Sequence, residues 1–171
     1  VPVDVDCVAE HLAAVVRCRT VPLDDQGTPD PEAFSQLHRM LEQTYPLVHK
    51  NLRCEVISGY SLLYTWEGTR SELDPVMVMA HQDVVSADPA SLDQWTHPPF
   101  AGDIADGFVW GRGTLDIKNQ LIGIMEAAEV LLARGFQPER SILFGLGHDE
   151  ETGGVNGCKV MGQLLQERGV H

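Results

Sequence analysis

Three short segments of this chain end in side chains that bind metals. They are Met79-Ala80-His81-Gln82-Asp83-Val84-Val85, Gly111-Arg112-Gly113-Thr114-Leu115-Asp116 and His148-Asp149-Glu150-Glu151. Imidazole suits zinc as a neutral nitrogen donor, and one carboxylate can bridge two cations about 3.5–4 Å apart. A further carboxylate beside them can act as general base on a water. These are the parts of a two-metal hydrolase, although two metals need more protein ligands than three motifs supply.

Each motif alone has a plainer reading. His81 follows an apolar run, which puts it at the carboxyl edge of a sheet, where open α/β folds bind ligands. A lone His there is often only structural. Asp83 is the candidate to receive the second ring proton of a metal-bound imidazole and fix its orientation. The glycines before Asp116 permit a tight turn, but Asp116 also stands where it could cap the helix that follows. No GxxxxGK[ST] is present, and Lys118 is out of place for a phosphate loop. Glu150 and Glu151 follow an extended run, on which neighbours point in opposite directions. One could bind a metal while the other faces the reacting water, or both could sit on a solvated turn. What favours the chemical reading is that all three motifs fall at strand ends and all supply metal ligands.

The elements that must position them are legible from periodicity. Asp4 or Asp6 caps a helix to about Arg17, with Val8, Leu12, Val15 and Val16 on one face. Residues 21–31 are turn-rich. Pro31 opens a second helix with Phe34, Leu37, Met40 and Leu41 inward, and Pro46 follows its end. Residues 52–57 and 62–66 read as a hairpin around Ser58-Gly59-Tyr60-Ser61. The continuous apolar run 75–80 predicts a central strand covered on both faces. Residues 86–100 form an irregular loop, and 107–110 a short strand. Leu121, Met125, Ala128 and Leu132 mark a helix over 118–133 that Gly135 stops. A second central strand spans 141–146, and a closing helix 155–166. Strands alternating with helices predict an α/β fold with helices on the sheet faces.

With 171 residues, 43% of them hydrophobic, the chain can bury a core and fits one domain. It has no run of about 18 apolar residues of the kind that crosses a membrane, and residues 1–20 do not read as a signal peptide. A net charge of −13 without a basic patch argues against nucleic acid. The four cysteines (Cys7, Cys18, Cys54 and Cys158) form no CxxC pair. They read as scattered, buried thiols of a reducing compartment. A cytoplasmic location is therefore expected, with secreted or vacuolar ones left open because Val1 is compatible with processing. Trp95, Phe100 and Trp110 have two fates, packing or lining an apolar pocket.

At these motifs the chain resembles the co-catalytic zinc peptidase family of carboxypeptidase S, aminoacylase, carboxypeptidase G2 and succinyl-diaminopimelate desuccinylase. HxDVV, Trp95-Thr96-His97-Pro98-Pro99-Phe100, GRGTLDIK and GHDEE stand in that family's order, nearest the branch of carboxypeptidase S and the N-acyl-amino-acid hydrolases. The resemblance implies a three-layer α/β/α catalytic domain with a mixed central sheet, of the phosphorylase/hydrolase-like zinc exopeptidase type. Of that domain the 171 residues are the amino-terminal part, truncated at the C-terminus. It implies His81, Asp116 and Glu151 as ligands of two zinc ions, with Asp116 bridging and cobalt or manganese as substitutes. Asp83 would orient His81, Glu150 would be the general base, and the Asp116–Ile117 peptide would be cis. The implied activity is hydrolysis of amide bonds in peptides or N-acyl amino acids. No membrane or nucleic-acid partner is implied, and a homodimer would form through a lid domain that this sequence lacks. The pattern also needs a further acid and a distant His. The terminal His171 is a poor substitute, since chain ends fray. The second reading is an isolated domain with an incomplete metal site and no catalysis.

Overall fold

The computed structural model describes residues 3–170, so the expectations placed on Val1 and His171 lie outside the described residues. Helix α1 spans Val5–Arg17, and its cap is Asp4, whose carboxylate accepts the Cys7 amide at 3.1 Å. Helix α2, Pro31–Thr44, begins on an Asp30 cap with proline in its first turn. Pro46 does more than follow α2: it opens a short helix α3, Pro46–Asn51, because proline lacks only an amide that a first turn leaves free.

Strands β1 (Arg53–Ile57) and β2 (Ser61–Trp66) form the expected hairpin, with Ser58 and Gly59 at positive φ in its turn. Strand β3 is Val76–His81, and β4 (Asp103–Ala105) pairs with β5 (Phe108–Trp110) in a separate ribbon. Helix α4 is Lys118–Ala133, β6 is Ile142–Gly147, and α5 is Cys158–Glu167. The main sheet runs β1-β2-β6-β3, with β6 antiparallel to β2 and parallel to β3, so it is mixed as expected.

Strand alternation divides the core between two layers. Leu62, Tyr64, Trp66, Phe144 and Leu146 pack with residues of α1 to α4. Leu63 and Leu143 point the other way, onto Met161 and Leu165 of α5. This is a helix–sheet–helix sandwich.

Three expectations need correction. Strand β3 is not central: β6 is its one neighbour among the described residues, and Val78 and Met79 stay 38% and 47% exposed. Helix α5 starts at Cys158 rather than at 155, because the buried Asp149 carboxylate takes the amides of Asn156 and Gly157 and holds them in a turn. The thiols are free, but only Cys18 is buried. Cys7 lies in the first turn of α1 and Cys54 on the outer strand β1, where both meet solvent.

Candidate metal centre

His81 is the last residue of β3 and is buried. Its Nδ1 lies 2.9 Å from the Asp83 carbonyl oxygen and 3.4 Å from the Asp83 carboxylate. Both neighbours only accept, so in the neutral ring they hold the proton on Nδ1, and a metal displacing the second proton would take Nε2. Nε2 faces Asp116 Oδ1 at 3.1 Å and Glu150 Oε2 at 3.6 Å.

Asp116 arrives by way of the glycine turn. A Cβ on Gly113, at φ 85°, would stand 2.7 Å from Val84 Cγ1, so this approach of the turn to the His81 loop requires glycine. The Asp116–Ile117 peptide is cis. Asp116 is not a helix cap: α4 begins one residue after Ile117, and no side chain caps it. The Asp116 side chain is open to solvent.

Glu150 and Glu151 sit on a single 3-10 turn, Glu150–Thr152, rather than on extended backbone. The cause is Asp83, whose two carboxylate oxygens accept the amides of Glu150 and Glu151 at 3.2 and 2.9 Å. Neighbours on such a turn are about 120° apart, so both carboxylates reach one space from different sides. One ligand atom each from His81, Asp116 and Glu151 lies within 4.8 Å of the others. Asp83 lies beneath, joining the loops after β3 and β6.

The electrostatics leave negative charge unbalanced. Burial opposes a charged imidazole, yet the hydrogen bonds and charge of Asp83, with Asp116 adding, hold His81 up to about 9. Burial pushes Glu151 up as well; His81 pulls it down, while Asp116, Asp83 and Glu150 push it further up. Four carboxylates around one imidazole make a site for a cation, and one nitrogen among oxygens suits zinc, cobalt or manganese.

Several supporting residues escaped the sequence reading. Gln82 is fully buried and uses every polar atom: its side chain meets His38, Tyr60 O and Leu146 O, its amide reaches Gly147 O, and its carbonyl accepts from Thr20. Lys118, set aside as a phosphate ligand, is buried with Nζ donating to the carbonyls of Val15 and Cys18, which ties the end of α1 to the start of α4. Burial lowers it to about 8. No pattern marks either residue. Asp149, also unread, did carry a signal, since an Asp ahead of Gly-rich sequence marks a turn.

Trp95 and Trp110 line a cavity of about 760 Å³ with His97, Phe108 and Leu115, the last adjacent to Asp116. The Arg112 guanidinium lies over Trp95 at 5.3 Å, its buried Nε without a partner. Phe100 packs beneath Arg19 instead. Among the described residues no helix is long and apolar enough to cross a membrane.

Comparison with known proteins is consistent with this geometry. The profile of peptidase family M20/M25/M40 matches residues 77–171. Carboxypeptidase S of Saccharomyces cerevisiae is 45% identical over 166 residues, covering 93% of this chain and 29% of that protein. The N-fatty-acyl-amino acid synthase/hydrolase PM20D1 of Bos taurus is 43% identical over 163 residues, covering 94% of this chain and 32% of that protein. The crystal structure of human carnosine dipeptidase 1 superposes with a TM-score of 0.71 at 21% identity, over 95% of this chain and 35% of that one. That likeness speaks for the fold. The chain thus spans 29–32% of the length of these two sequence relatives.

Proposed function

Because the chain belongs to peptidase family M20/M25/M40, we propose that it carries the metal-binding core of a hydrolase acting on amide bonds in peptides or N-acyl amino acids. The observation that carries this reading is the meeting of His81, Asp116 and Glu151, with Glu150 alongside. The substrate class follows the relatives, a carboxypeptidase and an N-fatty-acyl-amino acid synthase/hydrolase.

In this reading His81 and Asp116 would hold one zinc ion, and Asp116 and Glu151 would hold a second. When bound, the metals supply Lewis-acid polarisation of the scissile carbonyl and make a water more acidic. Glu150 accepts the water proton on its carboxylate and passes it to the leaving amine nitrogen. Asp83 positions the chemistry without touching substrate: it fixes the His81 tautomer and holds the turn that carries both glutamates.

Among the described residues each cation would have two protein ligands, one of them shared. We therefore assign the 171 residues to the amino-terminal part of one catalytic domain. Further ligands and a lid lie in additional chain, and these residues alone do not hydrolyse substrate. Native mass spectrometry in excess zinc tests the reading, on this chain and on one extended to the length of its relatives. Two retained zinc ions in the longer chain, lost in Asp116→Ala, are expected. A longer chain that retains none would overturn it.

A further inference from the structure

A second ordered set of reactive groups lies between α1 and α4, away from the carboxylate cluster. Cys7 Sγ stands 3.5 Å from His11 Nε2, one helical turn on. The other ring nitrogen, Nδ1, is hydrogen-bonded to the Glu126 carboxylate, and the same oxygen accepts the Tyr45 hydroxyl at 2.8 Å. A carboxylate only accepts, so Nδ1 carries the ring proton and Nε2 presents its lone pair to the thiol. Nucleophile, base and orienting carboxylate thus follow one another in the order that activates a thiol.

Two further observations say what such a thiol would meet. Cys7 is exposed, and with Asp4, Asp6 and Glu10 it lines a cavity of about 390 Å³. An acidic mouth gathers cations and turns anions away. Slight desolvation and the carboxylates of Glu126 and Asp4 push the resting thiol up. It therefore reacts by handing its proton to His11 and not as a standing thiolate.

We propose that Cys7 is a base-assisted nucleophilic thiol that exchanges with small cationic disulfides. The Sγ proton passes to His11 Nε2 while Sγ bonds to one sulfur of the disulfide. The original S–S bond breaks, and the departing aminothiolate takes the proton from His11. The products are a mixed disulfide on Cys7 and one free aminothiol, with no other oxidant required. This assignment is independent of the metal centre.

The test is peptide mapping by mass spectrometry after brief exposure of the purified protein to cystamine, or to oxidised glutathione as the anionic counterpart. Cys54, the other exposed thiol, is the internal reference. Cys7 should react at least about tenfold faster than Cys54, as expected when a positioned base assists. It should also prefer cystamine by about tenfold at low ionic strength, in line with electrostatic enrichment in a charged cleft. His11→Asn should bring Cys7 to the rate of Cys54. The exposed pair Asp6→Asn and Glu10→Gln should erase the preference for cystamine without touching the Cys–His–Glu set. Equal rates for Cys7 and Cys54, or a His11→Asn protein as fast as the parent, would overturn the base-assisted thiol. Equal rates with the two disulfides would overturn the cationic partner.

Discussion

Replacing Asp83 by Asn separates the two jobs this residue does. Its carboxylate is buried and accepts two backbone amides, from Glu150 and Glu151, at 3.2 and 2.9 Å. Hydrogen bonds to a charged group contribute about 1.5–3 kcal/mol each. Asparagine keeps one accepting oxygen but turns an NH₂ toward the second amide, so one bond is lost and the other loses its charge. The net cost is about 2–4 kcal/mol, a large part of a stability of about 5–15 kcal/mol. With a urea slope of about 2 kcal/mol per molar, the unfolding midpoint should fall by about 1–2 M. Freed of its two amides, the Glu150–Thr152 turn should relax, and His81 should lose part of its orientation. Zinc affinity should then drop about 10–100-fold, as for loss of an orienting partner. Chelator-treated protein in a urea titration and a competition assay for zinc give the two numbers. A midpoint within about 0.3 M of the parent, less than about a third of the smallest shift expected, would refute the argument. So would unchanged zinc affinity.

Glu150→Gln in the extended chain should keep its metal content and lose at least about 10²-fold in turnover; full turnover would remove Glu150 as the base. Asp116→Ala should abolish zinc retention yet leave the metal-free urea midpoint nearly unmoved, because this side chain is 75% exposed; a large loss of metal-free stability would reveal a structural role instead. In metal-free protein His81 keeps its proton up to about 9, against about 6.5 in an unfolded chain. A folded value above the unfolded one means that this stabilisation is complete below about pH 6.5 and lost as pH rises through about 9. Urea midpoints in chelator should fall across that window, and a fall of equal size in His81→Gln would exclude the imidazole as its source.

The sequence was most readable where backbone periodicity and chemistry coincide. The hairpin, α1 and α4 follow from turn signals, caps and apolar spacing, and His81 ends β3 as expected, whereas Asp116 and Glu151 lie six and four residues past the ends of β5 and β6. The errors arise where a distant partner decides. Val76–His81 has the composition of a doubly covered strand, but composition cannot report how many strands lie beside it. Glu150 and Glu151 are curled by Asp83, 67 and 68 residues earlier in the chain, so their local sequence could not distinguish a turn from a strand. Lys118 carries no local sign of burial, yet the carbonyls of Val15 and Cys18, 103 and 100 residues away, hold it in the interior. Gln82 lies inside the very motif that was read, and its role stayed hidden because all its partners come from elsewhere in the fold.

The side of β3 that no strand pairs with among the described residues bears on how this polypeptide behaves at high concentration. An apolar edge strand with unpaired backbone is a template for pairing with another chain, and here Val76, Val78 and Met79 are 38–47% exposed along it. Gln120 covers only the Met79 carbonyl. Between molecules, the opposing force is mutual repulsion from a net charge of −13. Salt screens that repulsion over about 10 Å at 0.1 M and leaves the apolar edge as attractive as before. The colloidal stability of the chain therefore rests on ionic strength, and clear solutions belong to dilute buffer.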